Sequence, residues 1–303
     1  IWQTPRQRGQ AEMTVTYHAA DYFRESTQPI AIMRITDKRP TLCPSHSHDF
    51  DELVLVLRGA ATHTTDEETY TLKAGDIFLL QGRQTHSFRE QWGFSYVNLL
   101  FRPALLELPW SALRVLPGYQ ALLTLEPALR RRHEFQSRLH VTAADLRYLH
   151  TLVSAMEVEL SHREAGYEAV LTAHFAQLLV YLARCYARMS TPSSQQLLQL
   201  GAALSLLERQ YMTPLRLEEL ANAACMSVST FSRAFKRATG FSPISYLLRL
   251  RIHKAAELLR DDAVSVACAA EQVGFTDSNY FTRQFTAIMG VCPRIYQRSI
   301  ALR

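Results

Sequence analysis

The sequence predicts a multidomain α+β protein: an antiparallel β-barrel first, a helical region second and an all-α domain last. Three observations carry this expectation. Short β-rich runs separated by turn signals fill the stretch from about Ile30 to Phe101, helical periodicity takes over from Ala143, and beyond Met189 the chain repeats itself at a spacing of 50 residues. A chain of 303 residues, 48% hydrophobic and 20% charged, has room for two ordinary domains and is neither disordered nor collagen-like. No apolar run is read as reaching the roughly 20 residues that span a bilayer. The opening IWQTPRQRGQ lacks the apolar stretch of a secretory signal, so the expectation is a soluble cytoplasmic protein with no membrane partner. Cys43, Cys185, Cys225, Cys268 and Cys292 form no C-x-x-C pair and read as buried thiols.

The barrel, with an N-terminal arm, is assigned to residues 1–110. Its strand candidates are AIMRI, ELVLVLRG, THTTDEETYTLKAGD, IFLL and FSYVNLLF. Two helices follow between Ala143 and Met189. In the first, Leu146, Leu149, Val153, Met156 and Leu160 recur at spacings of 3, 4, 3 and 4 and make one apolar seam. Such a seam either packs on the chain's own barrel or joins two protomers, and residues 111–189 are assigned as a helical dimerisation region. Small polar residues and a proline mark 190–196 as a linker.

Residues 197–303 form the last domain. After Met189 there are 13 Lys and Arg against 8 Asp and Glu, whereas the chain before that point is balanced at 20 against 20. A positive excess confined to one domain suits a polyanion partner, although a solvated basic surface would show the same balance. The 50-residue shift superposes Phe231 on Phe281, Arg233 on Arg283, Phe235 on Phe285, Gly240 on Gly290, Pro243 on Pro293 and Tyr246 on Tyr296. Chance would give roughly one identity in such a window at ordinary residue frequencies.

Each copy parses as helix, tight turn, second helix and glycine stop. Leu217–Ala224 is followed by a turn at Cys225 and Met226, a cap at Ser227 and a helix to Thr239. Val266–Val273 is followed by Gly274, a cap at Asp277 or its neighbour and a helix ending at Gly290. A connecting helix from about Ile244 to Leu259, about 24 Å long, joins the two. Successive residues step about 100° around a helix, which sends Phe231 and Phe235 to the core and leaves Ser229, Ser232, Arg233 and Lys236 on the opposite face. The second copy presents Asn279, Thr282, Arg283 and Thr286 there. Arginine pairs with guanine and asparagine with adenine in a major groove, and Lys236 suits a phosphate.

From about Leu204 to Tyr296, the stretches LEELANAACMSVSTFSRAFKRATGFSPISYLLRLRIHKAAELL and VACAAEQVGFTDSNYFTRQFTAIMGVCPRIY resemble the DNA-binding domain of the AraC/XylS family of bacterial transcription regulators. The resemblance implies two helix-turn-helix units and base-reading positions at Ser229, Ser232 and Arg233 and at Asp277, Asn279 and Arg283. It implies double-stranded DNA, RNA polymerase and a second copy of the chain as partners. Thr286 and Gln297 stand where the family usually carries Lys and Arg, which weakens the second unit's hold on phosphate.

Upstream, His46, His48, Glu52 and Gly59 fit H-x-H-x3-E-x6-G, with Gly75 and His86 in a second motif. This pattern resembles the cupin superfamily, whose metal-binding members converge these four side chains in the barrel mouth. Gln81, Arg83 and Glu90 depart from its second motif. Alternation puts His46 and His48 on one strand face. Three readings stay open for His46, His48, Glu52 and His86: a pocket that hydrogen-bonds a small ligand, a site for a divalent transition metal such as zinc, nickel, iron or manganese, and polar residues without a ligand. HSHDFDELVLVLRG is similar to the rhamnose-responsive branch of the AraC/XylS family, which implies a sugar effector, and Trp92, Tyr96 and Trp110 are candidates to stack on it. The functional expectation is a sequence-specific, ligand-responsive activator of a carbohydrate-use operon and not an enzyme. A metal-dependent cupin enzyme fused to a DNA-targeting domain is the rival.

Overall fold

The computed structural model describes residues 15–36, 42–65, 69–90, 93–130 and 139–301. Trp92 and the opening IWQTPRQRGQ lie outside the described residues, as does the side chain of Cys43. The chain divides into two compact units, one built from residues 1–108 with 129–178 and the other from 109–128 with 179–303.

The first unit is the β-rich one. Its described strands are β1 (Val15–Tyr17), β2 (Ile30–Thr36), β3 (Leu42–His48), β4 (Asp51–Arg58), β5 (Ala60–Thr65), β6 (Thr69–Lys73), β7 (Asp76–Leu80), β8 (His86–Glu90), β9 (Ser95–Phe101) and β10 (Leu139–His140). They pair into two five-stranded sheets, ordered β1-β3-β8-β5-β6 and β10-β7-β4-β9-β2. All the pairings are antiparallel except that of β1 with β3. A half-buried strand would alternate polar and apolar residues, but the LVLVL that follows Glu52 is apolar throughout because β4 is covered on both faces. Val54 and Val56 join Phe78, Phe88 and Tyr96 in the barrel core. Leu53 and Leu55, on the other face by alternation, are equally buried.

Two helices pack on the sheet containing β2 and β9, one wholly within this unit and the other through its residues up to 178. They are α5 (Ala143–His162) and α6 (Tyr167–Ala187); a short α1 (Ala19–Tyr22), α2 (Trp110–Arg114), α3 (Pro117–Tyr119) and α4 (Glu126–Arg130) precede them in the chain. Thr142 caps α5 through Asp145 N, and Asp145 completes the reciprocal box. Arg34 of β2 grips Glu157 of α5 with Nε and Nη2 at 3.0 and 2.8 Å, and Phe101 of β9 meets Phe175 of α6 with ring centroids 5.2 Å apart. Three of the five predicted seam residues, Leu149, Val153 and Met156, are buried within one chain and pack on their own unit, while Leu146 and Leu160 are half-buried. Contrary to the sequence expectation, α6 is long and apolar enough by length and composition to cross a membrane. Its Leu171, Phe175, Leu178 and Leu182 are fully buried, which makes it a core helix.

The linker expected at 190–196 is mostly helix. Thr191 caps α7 (Pro192–Gln210), accepting from Ser194 N, with Pro192 in the first position and Ser194 buried. Thr-Pro before a polar turn is a helix start as much as a spacer. The boundary at 110/111 also moves, because residues 109–128 belong to the second unit. A Cβ on Gly118 would lie 2.0 Å from the Ala183 carbonyl oxygen, and one on Gly201 2.4 Å from that of Pro117, so backbones meet where any larger residue would collide. The π-helical turn Gln120–Leu125 continues this segment.

The rest of the second unit holds the repeat: α8 (Leu217–Ala223), α9 (Val228–Thr239), α10 (Pro243–Leu258), α11 (Val266–Gln272), α12 (Ser278–Met289) and α13 (Pro293–Ala301). Gly240 and Gly290 end α9 and α12 at φ 83° and 79°, as the glycine stops predicted. Of the cysteines, Cys185 is buried as expected. Cys225 is exposed, because it forms the left-handed corner between α8 and α9.

Candidate functional site

β3 and β8 are neighbours in one sheet with His46 opposite His86, and β4 lies in the other sheet with Glu52 on the face of Val54 and Val56. His46, His48, Glu52 and His86 therefore converge inside the barrel, all at most 5% exposed. Donor atoms of His46, Glu52 and His86 lie within 4.8 Å of one another. His48 completes the group, its Nε2 3.0 Å from Glu52 Oε2, while His86 Nε2 is 3.7 Å from the same oxygen.

Both histidines are oriented from behind. His48 Nδ1 donates to the Phe50 carbonyl at 2.6 Å and His86 Nδ1 to that of Gln84 at 3.1 Å. A carbonyl only accepts, so each Nδ1 carries the proton and each Nε2 of a neutral ring turns its lone pair to the cluster. His86 Nε2 has no hydrogen-bond partner, and His48 Nε2 touches Glu52 off the hydrogen-bonding line. Burial would raise the Glu52 carboxyl, but the contact with His48 and the charges of His86 and His46 outweigh it and hold the group below its ordinary range. Burial would lower His48, yet Glu52 raises it on balance. Burial dominates at His86 and takes it down to about 4. The result is a buried carboxylate beside two imidazoles shifted in opposite directions, His48 up and His86 down.

These donors also fit a divalent transition metal. Ligands about 2.1 Å from a tetrahedral ion stand about 3.4 Å apart, inside the 4.8 Å that bounds the donor separations here. His46, Glu52 and His86 would hold such an ion, with His48 in contact with Glu52 beside them, and it would polarise a ligand hydroxyl bound beside it.

Sequence reasoning missed His63 of β5. It is fully buried, stacks on Phe88 with centroids 4.6 Å apart and places Nδ1 2.5 Å from the Tyr70 hydroxyl. Its ring centroid is 5.7 Å from that of His86. Strand alternation marks it as inward-facing; only the pairing of β5 with β8 shows what it faces. Tyr96 is 5% exposed in the barrel core, as simple packing requires, and Trp110 belongs to the other unit.

In the second unit, Phe231 and Phe235 of α9 and Phe281 and Phe285 of α12 are fully buried. Ser229, Arg233 and Lys236 are exposed, as are Asp277, Asn279, Thr282 and Arg283; Ser232 is half-buried and donates to the Val228 carbonyl. The two outer faces are therefore presented as the periodicity predicted. Asp277 has a further task, since its Oδ1 accepts from Asn279 N and Tyr280 N at 2.7 and 3.0 Å and caps α12. Arg251 of α10 went unremarked in the sequence. Its guanidinium donates to the carbonyls of Tyr211, Thr213 and Gly274 at 2.6, 2.9 and 3.0 Å, tying the end of α7 to the second turn.

Comparison with known proteins matches residues 32–179 to the AraC-like ligand binding domain and residues 220–299 to a helix-turn-helix domain. The HTH-type transcriptional activator RhaS of Pectobacterium carotovorum is 30% identical over 277 residues, covering 90% of this chain and 94% of that one. The chain belongs to the AraC family. The activator RhaR of the same organism is 29% identical over 281 residues, covering 92% and 93%. An AraC-type regulator from Chromobacterium violaceum, solved by crystallography, aligns over 34% of this chain and 92% of its own at 27% identity and a TM-score of 0.33. This AraC-family protein is thus a transcription regulator with a DNA-binding helix-turn-helix region and a ligand-binding barrel.

Proposed function

We propose that this AraC-family regulator is a cytoplasmic, sugar-responsive activator of a carbohydrate-use operon, with its effector held by His46, His48, Glu52 and His86. The observation that carries the reading is the charged cluster itself. The Nε2 atoms of His48 and His86 are sealed in the barrel beside the Glu52 carboxylate without a hydrogen-bond partner, which costs stability, and a polyhydroxylated ligand supplies both donors and acceptors. The names of the relatives, all activators, support the sign of regulation. Ser229, Ser232, Arg233 and Lys236 read one groove segment and Asp277, Asn279, Thr282 and Arg283 the next. The active form is a homodimer that contacts RNA polymerase, and its dimer interface is a face other than the buried α5 seam. No catalysis is assigned to the barrel. Transcription from the cognate promoter, measured with a panel of monosaccharides, should rise with one of them in the wild type and not in Glu52→Gln or His86→Ala. A wild type unresponsive to every sugar, or variants that respond as well, would defeat the proposal.

The 4.8 Å convergence favours a second reading, in which a divalent metal sits in the cluster and the sugar on the metal. Zinc or nickel retained through dialysis by the wild type and released by His86→Ala supports it; equal retention by both counts against it.

A further inference from the structure

The second unit contains a cleft of about 540 Å³ that neither the barrel nor the recognition helices use. It lies between the segment 109–128, which supplies Arg114, Tyr119, Gln120 and Thr124, and the helix-turn-helix region, which supplies Glu208 of α7, the loop residue Phe241, and Tyr246 and Arg249 of α10. Its volume falls within the range of small-molecule sites. We propose that this cleft is a second ligand site and takes a small hydroxylated anion, a sugar phosphate or sugar acid, between Arg114 and Arg249.

The two arginines supply the charge. Neither forms an ion pair within 4.0 Å among the described residues; Arg249 lies over the Phe241 ring at 4.3 Å and Arg114 over the Trp110 ring at 5.6 Å. A guanidinium held on an aromatic face keeps its N–H edge for a planar or tetrahedral oxyanion. Two acids, Glu208 and Glu257, share the cleft with them. Glu257 is engaged with Lys254 at 3.3 Å, and burial pushes the Glu208 carboxyl above its ordinary range. His253 is held below its ordinary value by burial and by Arg249, so it serves as a neutral partner.

The phenols supply the hydroxyl recognition. Tyr119 is 8% exposed and Tyr246 half-buried; both line the cleft, and neither has a side-chain hydrogen bond among the described residues. Each hydroxyl opens onto the cleft, where it can hydrogen-bond a ligand hydroxyl. Burial raises both phenols to about 12, which keeps them protonated as donors. A ligand here would bridge the segment 109–128 to α10, the helix that joins the two DNA-reading units.

The test is calorimetric titration of the full-length protein with glucose 6-phosphate, gluconate and neutral glucose, paired with amide hydrogen exchange at Tyr119 and Gln120. At least one anion should bind and slow that exchange while glucose does not. Arg249→Gln should weaken binding at least tenfold, and Tyr119→Phe, which removes one oxygen and leaves the packing, should weaken it several-fold. Preference for the phosphate or for the acid tells which source of the oxyanion the site is built for. Binding of neither anion, equal binding of glucose, or affinity untouched in both variants would overturn the proposal.

Discussion

The two helix-turn-helix units descend from one pattern yet solve the same corner differently. From first helix to first helix the shift is 49 residues, from second helix to second helix 50, so the second turn is one residue longer. The left-handed position is Cys225 in the first turn, at φ 52°, and Gly274 in the second, at φ 87°. The first recognition helix is capped by Ser227 and carries Lys236 and Arg237 in its last turn; the second is capped by Asp277 and has no basic residue there. On the DNA contacts proposed above, affinity for the phosphate chain is expected to concentrate in the first unit, with the second contributing mainly through what it can hydrogen-bond.

The largest effect expected is at Gly274, where an added Cβ would lie 2.3 Å from the Met212 carbonyl oxygen and φ is positive. Gly274→Ala should cost about 3 kcal/mol in equilibrium unfolding, and a loss below about 1 kcal/mol would show that the second corner is as tolerant as the first. Arg251→Ala leaves three carbonyls short of a charged donor and should cost about 2–3 kcal/mol, with the second unit's amides exchanging faster than the first's.

On DNA the asymmetry is read directly. Arg233→Ala and Arg283→Ala should each cost about 1–3 kcal/mol on a cognate operator, whereas Lys236→Ala should lower the salt slope by about 1 and Thr286→Lys raise it. Equal losses from both arginine variants on scrambled duplex would make them phosphate clamps.

The caps differ in pH response. Backbone donation from Tyr280 and Asn279 holds the Asp277 carboxyl below its usual 3.8. A folded-state value depressed in this way adds stability that is complete above the unfolded value and lost as pH falls through the folded one. Amides at the start of α12 should therefore lose protection in acid below about pH 4 while those of α9, capped by a serine, do not; Asp277→Asn should abolish the difference. The smallest effect runs the other way. Cys225→Gly relieves a left-handed non-glycine residue and should raise stability by up to about 1 kcal/mol in thermal unfolding.

The repeat was legible because a buried Phe face and a glycine stop follow from helical geometry alone, which placed Phe231, Phe281 and both polar faces correctly. The cluster at His46, His48, Glu52 and His86 was legible through motif spacing, but the imidazole tautomers depend on carbonyls at Phe50 and Gln84 that no spacing announces. His63 and Arg251 were not found, since each matters through a partner that is distant in sequence. The α5 seam was seen and its partner was open, because periodicity says that a face is buried and not by what. The segment 109–128 was assigned to the wrong unit for the same reason: the backbone contacts of Gly118 with Ala183 and of Gly201 with Pro117 join positions 65 and 84 residues apart.

That discontinuity bears on how the protein is made. Leu113, Leu122 and Leu125, all buried in the finished second unit, leave the ribosome well before Gly201 and Leu204 of α7 have been synthesised. At elongation rates of about 5–20 residues per second, their apolar surface waits on the order of ten seconds for its partner. The first unit must meanwhile close across this 20-residue excursion, at a loop-closure cost that rises only slowly with length. The nascent chain therefore passes through a stage with a completed sensor and a sticky, unpaired tether, and synthesis of the C-terminal third retires that hazard.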